Sequence, residues 1–344
     1  MRGHPYRGLP PRAFWRSGVG QQPAEALQDL YRRRFVIAPT DRIATAGSCF
    51  AQHISGRLRR QGYTVLDTEP PPRGLDGPAQ ARFGYGLFAA RFGNIYTARQ
   101  LLQLLEQARG KFRPADIAWQ RDGRWYDALR PNVEPEGLDS VEEVQALREQ
   151  HLRQVRAMIR QTDVFVFTFG LTEAWLHTES GTVYPTAPGT LAGSYDPAIH
   201  AFRNFTYEET LADFLAVRAI FRKSNPSVRF LLTVSPVPLA ATAADAHVLA
   251  ATVRSKSVLR AVAGALSERH EDIDYFPSYE IITAPFTGGR FYEEDRRAVT
   301  RAGVDAVMQA FFSQHPRLAA ATDAVPAEAR PVVCEEAMLE AFGD

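Results

Sequence analysis

The sequence is short of several things that would assign a function quickly. It has two cysteines in 344 residues, Cys49 and Cys334, far apart, so neither a disulfide framework nor a cysteine zinc cluster is implied. It has almost no excess charge, a formal net of +1, and hence no global electrostatic pull toward nucleic acid or an anionic membrane. It has no apolar run approaching the length of a membrane span. The opening stretch, Met1 to Pro11, is basic but has no apolar segment, so no secretory signal is expected there and a reducing cytoplasm fits best. What remains is an ordinary globular composition, 45% hydrophobic and 23% charged, in a chain long enough for one large core.

The hydrophobic pattern alternates between strand and helix. Ile43 to Ala46 reads as a first strand, followed by a helix on which Phe50, Ile54 and Leu58 share one face and which ends at Gly62. Tyr63 to Leu66 reads as a second strand, and Glu69 to Gly86 as a Pro/Gly/Arg loop. Gly93 to Ala98 is a turn into a leucine-rich helix. Residues 110–137 read as a hairpin insertion with a turn at Asp122-Gly123. A long helix carries Val141, Val144, Leu152, Val155 and Ile159. The run Asp163 to Gly170 is apolar throughout, as expected of a strand buried on both faces at the centre of a parallel sheet. Residues 177–206 look irregular. Then come a helix over 207–224, a strand from Arg229 to Val234, a helix over about 245–269, a short strand from Ile273 and a last helix capped by Thr300. This order predicts a doubly wound three-layer α/β/α sandwich with a mainly parallel sheet over residues 41–314. Residues 1–40 would form an N-terminal arm and 315–344 a weakly packed C-terminal tail.

In such sheets ligands sit beyond the carboxyl ends of the strands. The turn Gly47-Ser-Cys-Phe-Ala51 lies there, at a helix N-terminus where unpaired N–H groups and the positive dipole end favour an anionic nucleophile. Ser48 and Cys49 stand side by side in it. Read locally, Ser48 is equally an N-cap and Cys49 a small buried apolar residue.

Gly47-Ser-Cys-Phe-Ala51 is the eponymous motif of the GSCFA family, which resembles the SGNH/GDSL hydrolases. The resemblance extends through Phe169-Gly-Leu-Thr-Glu-Ala-Trp175, Ser235-Pro-Val-Pro238, Ser255-Lys-Ser257, Tyr275-Phe-Pro-Ser-Tyr-Glu280 and Phe291-Tyr-Glu-Glu-Asp295, and so covers roughly residues 40–312. Laid on the Gly-Asp-Ser block of those enzymes, it implies Cys49 as the nucleophile, with Ser48 the alternative. It implies oxyanion donors around Gly93 and Asn94, and around Gly170 and Thr172, where Thr172 replaces the usual asparagine. Glu173, Trp175 and Tyr184 would wall the substrate pocket, although the two aromatics suit a core equally. The last block, Asp-x-x-His in that superfamily, runs Asp295-Arg-Arg-Ala298 here, so the base position holds alanine. Ala298 leaves three readings: a substitution that disables the enzyme, a naturally inactive relative that only binds, or a chain in which His177 or His247 acts instead. Arg254 and Ser255-Lys-Ser257 would contact an anion or a sugar, or else form a solvated helix face.

The expected activity is therefore hydrolysis of a small O-acyl ester, an acylated carbohydrate among the candidates, with no metal and no nucleic-acid or membrane partner. Acyl transfer from a thioester donor such as an acyl-coenzyme A is the alternative. No phosphate-cradling glycine motif supports coenzyme binding, which keeps hydrolysis ahead. A non-catalytic module that binds an acylated ligand is the third reading. Neither the acyl group, the acceptor nor the oligomeric state follows from the sequence.

Overall fold

Six consecutive residues, Val164 to Phe169, are fully enclosed, and the rest of the molecule is built outward from them. The computed structural model describes residues 4–316 together with Met338 and Leu339. In chain order its elements are β1 (Ile43–Gly47), α1 (Phe50–Arg60), α2 (Gly77–Arg82), α3 (Ala98–Ala108), β2 (Ala118–Arg121), β3 (Arg124–Asp127), α4 (Val141–Gln161), β4 (Val164–Phe169), β5 (Glu173–His177), β6 (Val183–Tyr184), β7 (His200–Asn204), α5 (Tyr207–Ser224), β8 (Arg229–Val234), α6 (Val248–Arg269), β9 (Ile273–Tyr275), α7 (Ser278–Thr283) and α8 (Arg301–Phe312).

The central sheet has four parallel strands in the order β1-β4-β8-β9. Successive side chains of β4 point to opposite faces. Phe165, Phe167 and Phe169 enter a core with α3, α4, α5 and α6, while Val164 and Val166 meet α1, α7 and α8 on the other side. Helices thus cover both faces, which makes the domain a three-layer α/β/α sandwich. The first face is dense in aromatic rings: Phe165 lies 4.5 Å from Phe221 and Phe167 5.0 Å from Phe169, centroid to centroid. Truncating a buried phenylalanine of this kind costs about 3–5 kcal/mol. Thr206 begins α5 with a reciprocal capping box, its hydroxyl accepting from the Glu209 N–H while the Glu209 carboxylate accepts from the Thr206 N–H.

Three expectations change. Residues 63–66 form no full strand: Val65 makes a single parallel bridge to Ile43, held by Ile43 N–H to Thr64 O and Leu66 N–H to Ile43 O. That bridge still places the segment on the outer side of β1, so the winding reverses between β1 and β4. The loop after Glu69 contains the short helix α2, capped by Asp76. Residues 177–206 are irregular only in part: Val183–Tyr184 and His200–Asn204 pair with Glu173–His177 in a second, antiparallel sheet of order β6-β5-β7, and 185–199 between them has no strand or helix.

The β2–β3 hairpin is anchored through a buried ionic cluster. Asp127 accepts from Arg130 Nε at 2.7 Å and from Arg148 at 2.9 Å, and Glu69 accepts from His151 Nδ1 at 2.7 Å and from the Arg91 N–H at 2.9 Å. The N-terminal segment lies against the second face, where Tyr31 donates to Asp274 at 2.9 Å and Ile37 is fully buried. Of the 315–344 tail, all but His315, Pro316, Met338 and Leu339 falls outside the described residues.

Candidate active site

In sheets of this kind the ligand crevice lies where the winding reverses, beyond the carboxyl ends of the strands; here that point is at the ends of β1 and β4, where the Gly47–Cys49 turn lies with its residues buried. Gly47 has φ of +140°, and a Cβ placed there would lie 2.4 Å from the Thr168 carbonyl oxygen and 2.8 Å from its nitrogen. Only glycine passes this close to β4 in this conformation. The turn is then fastened on two sides, by Ser48 N–H to Thr168 O at 3.2 Å and by Ile95 N–H to Gly47 O at 2.9 Å.

Both nucleophile candidates are buried. Ser48 is 3% exposed, its hydroxyl has no hydrogen-bond partner among the described residues, and its Cβ lies 3.1 Å from where a Cβ on Gly170 would be. Cys49 is the N-cap residue of α1, already in helical conformation, and its side chain makes no capping bond. The residue stands at the N-terminal end of α1, whose first turn carries no acidic residue, and it is buried, 4% exposed.

Gly93 and Asn94 lie next to this turn. Gly93 adopts φ of +72°, and the Asn94 side-chain oxygen accepts from Gln52 Nε2 of α1 at 2.9 Å, which fixes the orientation of the amide. The second pair of expected oxyanion donors is corrected by its hydrogen bonds. The N–H groups of Gly170 and Leu171 both donate to the Tyr96 carbonyl at 3.1 Å. The Thr172 N–H donates to Ser255 Oγ at 2.9 Å, and its hydroxyl to Asn204 Oδ1 at 2.7 Å. Gly170 and Thr172 therefore shape the crevice without offering it a donor. The expectation of a solvated face at Ser255-Lys-Ser257 is also overturned in part. Ser255 and Lys256 are buried, and Lys256 Nζ donates to the Gly170 carbonyl at 2.5 Å; Ser257 and Arg254 are exposed.

Glu173, Trp175 and Tyr184 do come together, around a cavity of about 380 Å³ that also touches Tyr96 and Leu171. Glu173 accepts at 2.9 Å from Thr242, and its burial raises the carboxyl above the ordinary value against the pull of that bond and of Arg254. Trp175 packs edge-on against Tyr195 and Phe202. Tyr184 donates to Asp116 and leans on Trp119.

The segment before α8 is a small loop closed by the Tyr292–Val299 bridge and by Glu293 N–H to Ala298 O at 2.9 Å. Phe291 belongs to the same core cluster as Phe50 of α1, and Tyr292 donates to Pro236 O at 2.8 Å, which ties the loop to the segment after β8. Asp295 holds the loop, its Oδ1 accepting from the N–H groups of Arg297 at 2.8 Å and Ala298 at 2.9 Å. Ala298, where the sequence resemblance implies a base, contributes a methyl group.

Neither substitute histidine stands in the cavity wall. His177 bonds locally with Ser180, and His247 caps α6 through the Leu249 N–H. Sequence reading passed over His53, four residues after Cys49 and so on the same side of α1. Its ring packs against Phe50 at 5.7 Å, and burial, then Arg57 and Arg60, push it down to about 4, neutral at physiological pH. The i,i+4 spacing from Cys49 was the available signal. Among the described residues no group of three or more His, Cys, Asp or Glu is placed to hold a metal ion, and no helix is long and apolar enough to cross a membrane.

A family model described as the GSCFA family matches residues 42–311 of the chain. A search of curated proteins gives no match.

Proposed function

This chain belongs to the GSCFA family, and from that premise we propose that it handles acyl esters in the manner of the SGNH-type hydrolases its motifs resemble, with Cys49 as the nucleophile. One observation supports this above the others: Gly47 can be only glycine, and the turn it permits delivers Cys49 to the N-terminus of α1 at the switch point of the sheet. The Cys49 thiolate attacks the acyl carbonyl carbon, forming a C–S bond. The negative charge passes to the carbonyl oxygen, to be met by the N–H of Cys49 itself and by the Gly93–Asn94 loop. Collapse breaks the ester C–O bond, and the alkoxide leaves, taking its proton from solvent water. A thioester on Cys49 remains. Attack by water on that thioester completes hydrolysis; attack by an alcohol completes acyl transfer. Water is the acceptor in the reading favoured here, because no glycine-rich cradle for a coenzyme accompanies the site.

The proton steps are where this chain departs from the superfamily. A base activates the nucleophile and then protonates the leaving group, and Asp295 here faces the N–H of Ala298 instead of an imidazole. With alanine there, the first acylation proceeds only as far as the thiolate and a good leaving group allow, and the chain binds its ligand better than it turns it over. This is the observation that favours the binding-module reading.

Ala298→His is the test. Hydrolysis of p-nitrophenyl acetate is expected to rise by about 10²–10⁴-fold, the usual contribution of a positioned general base. The gain should vanish in Ala298→His with Cys49→Ala. A folded Ala298→His variant no faster than its parent overturns the esterase reading.

A further inference from the structure

The cavity beside the nucleophile turn carries its own information about the ligand. It is joined to the turn through Tyr96 and Leu171, since the Tyr96 carbonyl binds the Gly170 and Leu171 N–H groups and Gly170 faces Ser48. Its volume of about 380 Å³ is at the small end of the roughly 300–1,000 Å³ typical of small-molecule sites. Much of its wall is carbon, from Leu171, Ala174, Trp175, Phe202 and Leu239.

The polar side chains in the wall are largely committed to the protein. Gln100 uses both ends of its amide, accepting from the Tyr96 N–H at 2.9 Å and donating to the Asn94 carbonyl at 3.1 Å. Thr97 caps α3 at the Gln100 N–H, Thr190 donates to Ala187, and Thr242 donates to Glu173. A carbohydrate ring needs a series of unengaged donors and acceptors to replace its water. Few polar atoms of this wall are unengaged: the Glu173 carboxyl is buried and accepts from Thr242 and Asn204, and the Thr186 hydroxyl, without a partner among the described residues, is itself enclosed. The wall also includes a residue remote in sequence: Leu339, from the C-terminal segment of the same chain, is among its lining side chains.

We propose that this cavity is the acyl-side subsite, that it takes a non-polar acyl chain of medium length and not a sugar, and that Leu339 occupies its mouth in competition with that chain. The inference rests on the acyl-ester reading for the meaning of "acyl side", and its own content is the chemistry of the pocket and of its resident leucine. A branched aliphatic side chain is a fair surrogate for an alkyl tail. Tethering gives it an effective concentration that a dissolved ligand must overcome. The apparent dissociation constant then exceeds the intrinsic one by the inverse of the open fraction.

The experiment is calorimetric titration of the full-length chain with N-methyloctanamide, a non-hydrolysable acyl analogue, and separately with N-acetylglucosamine. The octanamide is expected to bind the parent, to bind Leu339→Ala about tenfold more tightly, which is an open fraction near one tenth in the parent, and to lose binding to Ala174→Trp, where an indole fills the cavity. The sugar is expected to give no heat with either. Equal octanamide affinity in parent and Leu339→Ala overturns the competing role of Leu339. Absence of octanamide binding to Leu339→Ala, or binding of the sugar in its place, overturns the acyl pocket. Leu339→Ala alters a side chain far from the central core, so this arm stands even if Ala174→Trp fails to fold. The readout is binding without turnover. Intact octanamide binding with no hydrolysis by Ala298→His would remove the catalytic reading alone, whereas a Cys49 acyl adduct without octanamide binding would remove this inference alone.

Discussion

Gly47→Ala is the substitution on which the geometry of the site bears hardest. The added methyl would lie 2.4 Å from the Thr168 carbonyl oxygen, 2.8 Å from its nitrogen and 2.9 Å from its Cβ. All three atoms belong to the backbone or the stem of β4, the strand enclosed on both faces, so none can swing aside. Forcing a non-glycine residue to φ of +140° costs about 1–3 kcal/mol, and overpacking a tight interior contact costs about 1–3 kcal/mol more. The expected loss is therefore about 2–6 kcal/mol, from a total stability that for a domain is about 5–15 kcal/mol. Gly56→Ala supplies the control nine residues along, in the interior of α1, where an added Cβ meets nothing within 4 Å. It should gain about 0.5–1 kcal/mol, the ordinary helix preference of alanine over glycine. Urea unfolding followed by circular dichroism reads both. The reasoning fails if Gly47→Ala unfolds at the parent's midpoint, or if the two alanines shift it in the same direction by similar amounts.

Other consequences can be checked alongside. Asp127→Ala would leave Arg130 and Arg148 buried without the carboxylate they share, and urea midpoints should report a loss of about 3–5 kcal/mol. Acid should weaken the fold in stages. His151 is held down to about 4 by burial first and then by the Arg130 charge, against an ordinary 6.5, so the neutral imidazole supports the native state above 6.5 and this support is lost as pH falls through about 4. Burial opposes the ionised forms of Glu69 and Asp127, but the hydrogen bond from His151 to Glu69 and the charges of Arg148 and Arg130 on Asp127 prevail, and both acids sit near 2. Their contribution is present above the ordinary carboxylate range and disappears between about 4.5 and 2. Unfolding midpoints that stay flat from pH 7.5 to 4 would contradict this. Thr206→Ala, which removes the hydroxyl half of the α5 capping box, should cost about 1 kcal/mol in the same assay.

The parts of the fold legible in the sequence are those fixed by local pattern. β4 announces itself because burial on both faces requires an unbroken apolar run. α5 lies where the pattern placed a helix, over 207–224. β8 and the Thr300 cap of α8 follow the same logic. The second sheet was hidden because its pairing is non-local: Glu173 lies opposite Asn204 and Trp175 opposite both Phe202 and Tyr184, across Gly- and Pro-rich turns that mask the alternation. Lys256 was misread for a related reason. A lysine on a helix reads as solvated, and its burial depends on the Gly170 carbonyl 86 residues earlier. At the site, Gly47, Ser48 and Cys49 were legible as a turn. Which hydroxyl or N–H faces the crevice was not, because Gly170 and Thr172 are satisfied by Tyr96, Ser255 and Asn204, partners brought in by three other loops and helices. The cavity drew Leu171, Phe202, Leu239 and Leu339 from segments whose only common property in the sequence is apolarity.

The account turns on Cys49 as the atom that takes the acyl group. Treating the full-length chain with p-nitrophenyl acetate, in a Cys334→Ser background that leaves one thiol, and mapping the product by peptide mass spectrometry tests this without requiring turnover. One acetyl group on Cys49, absent in Cys49→Ala, is the predicted result; an acetyl on Ser48, or an unmodified Gly47–Ala51 peptide from folded protein, contradicts it.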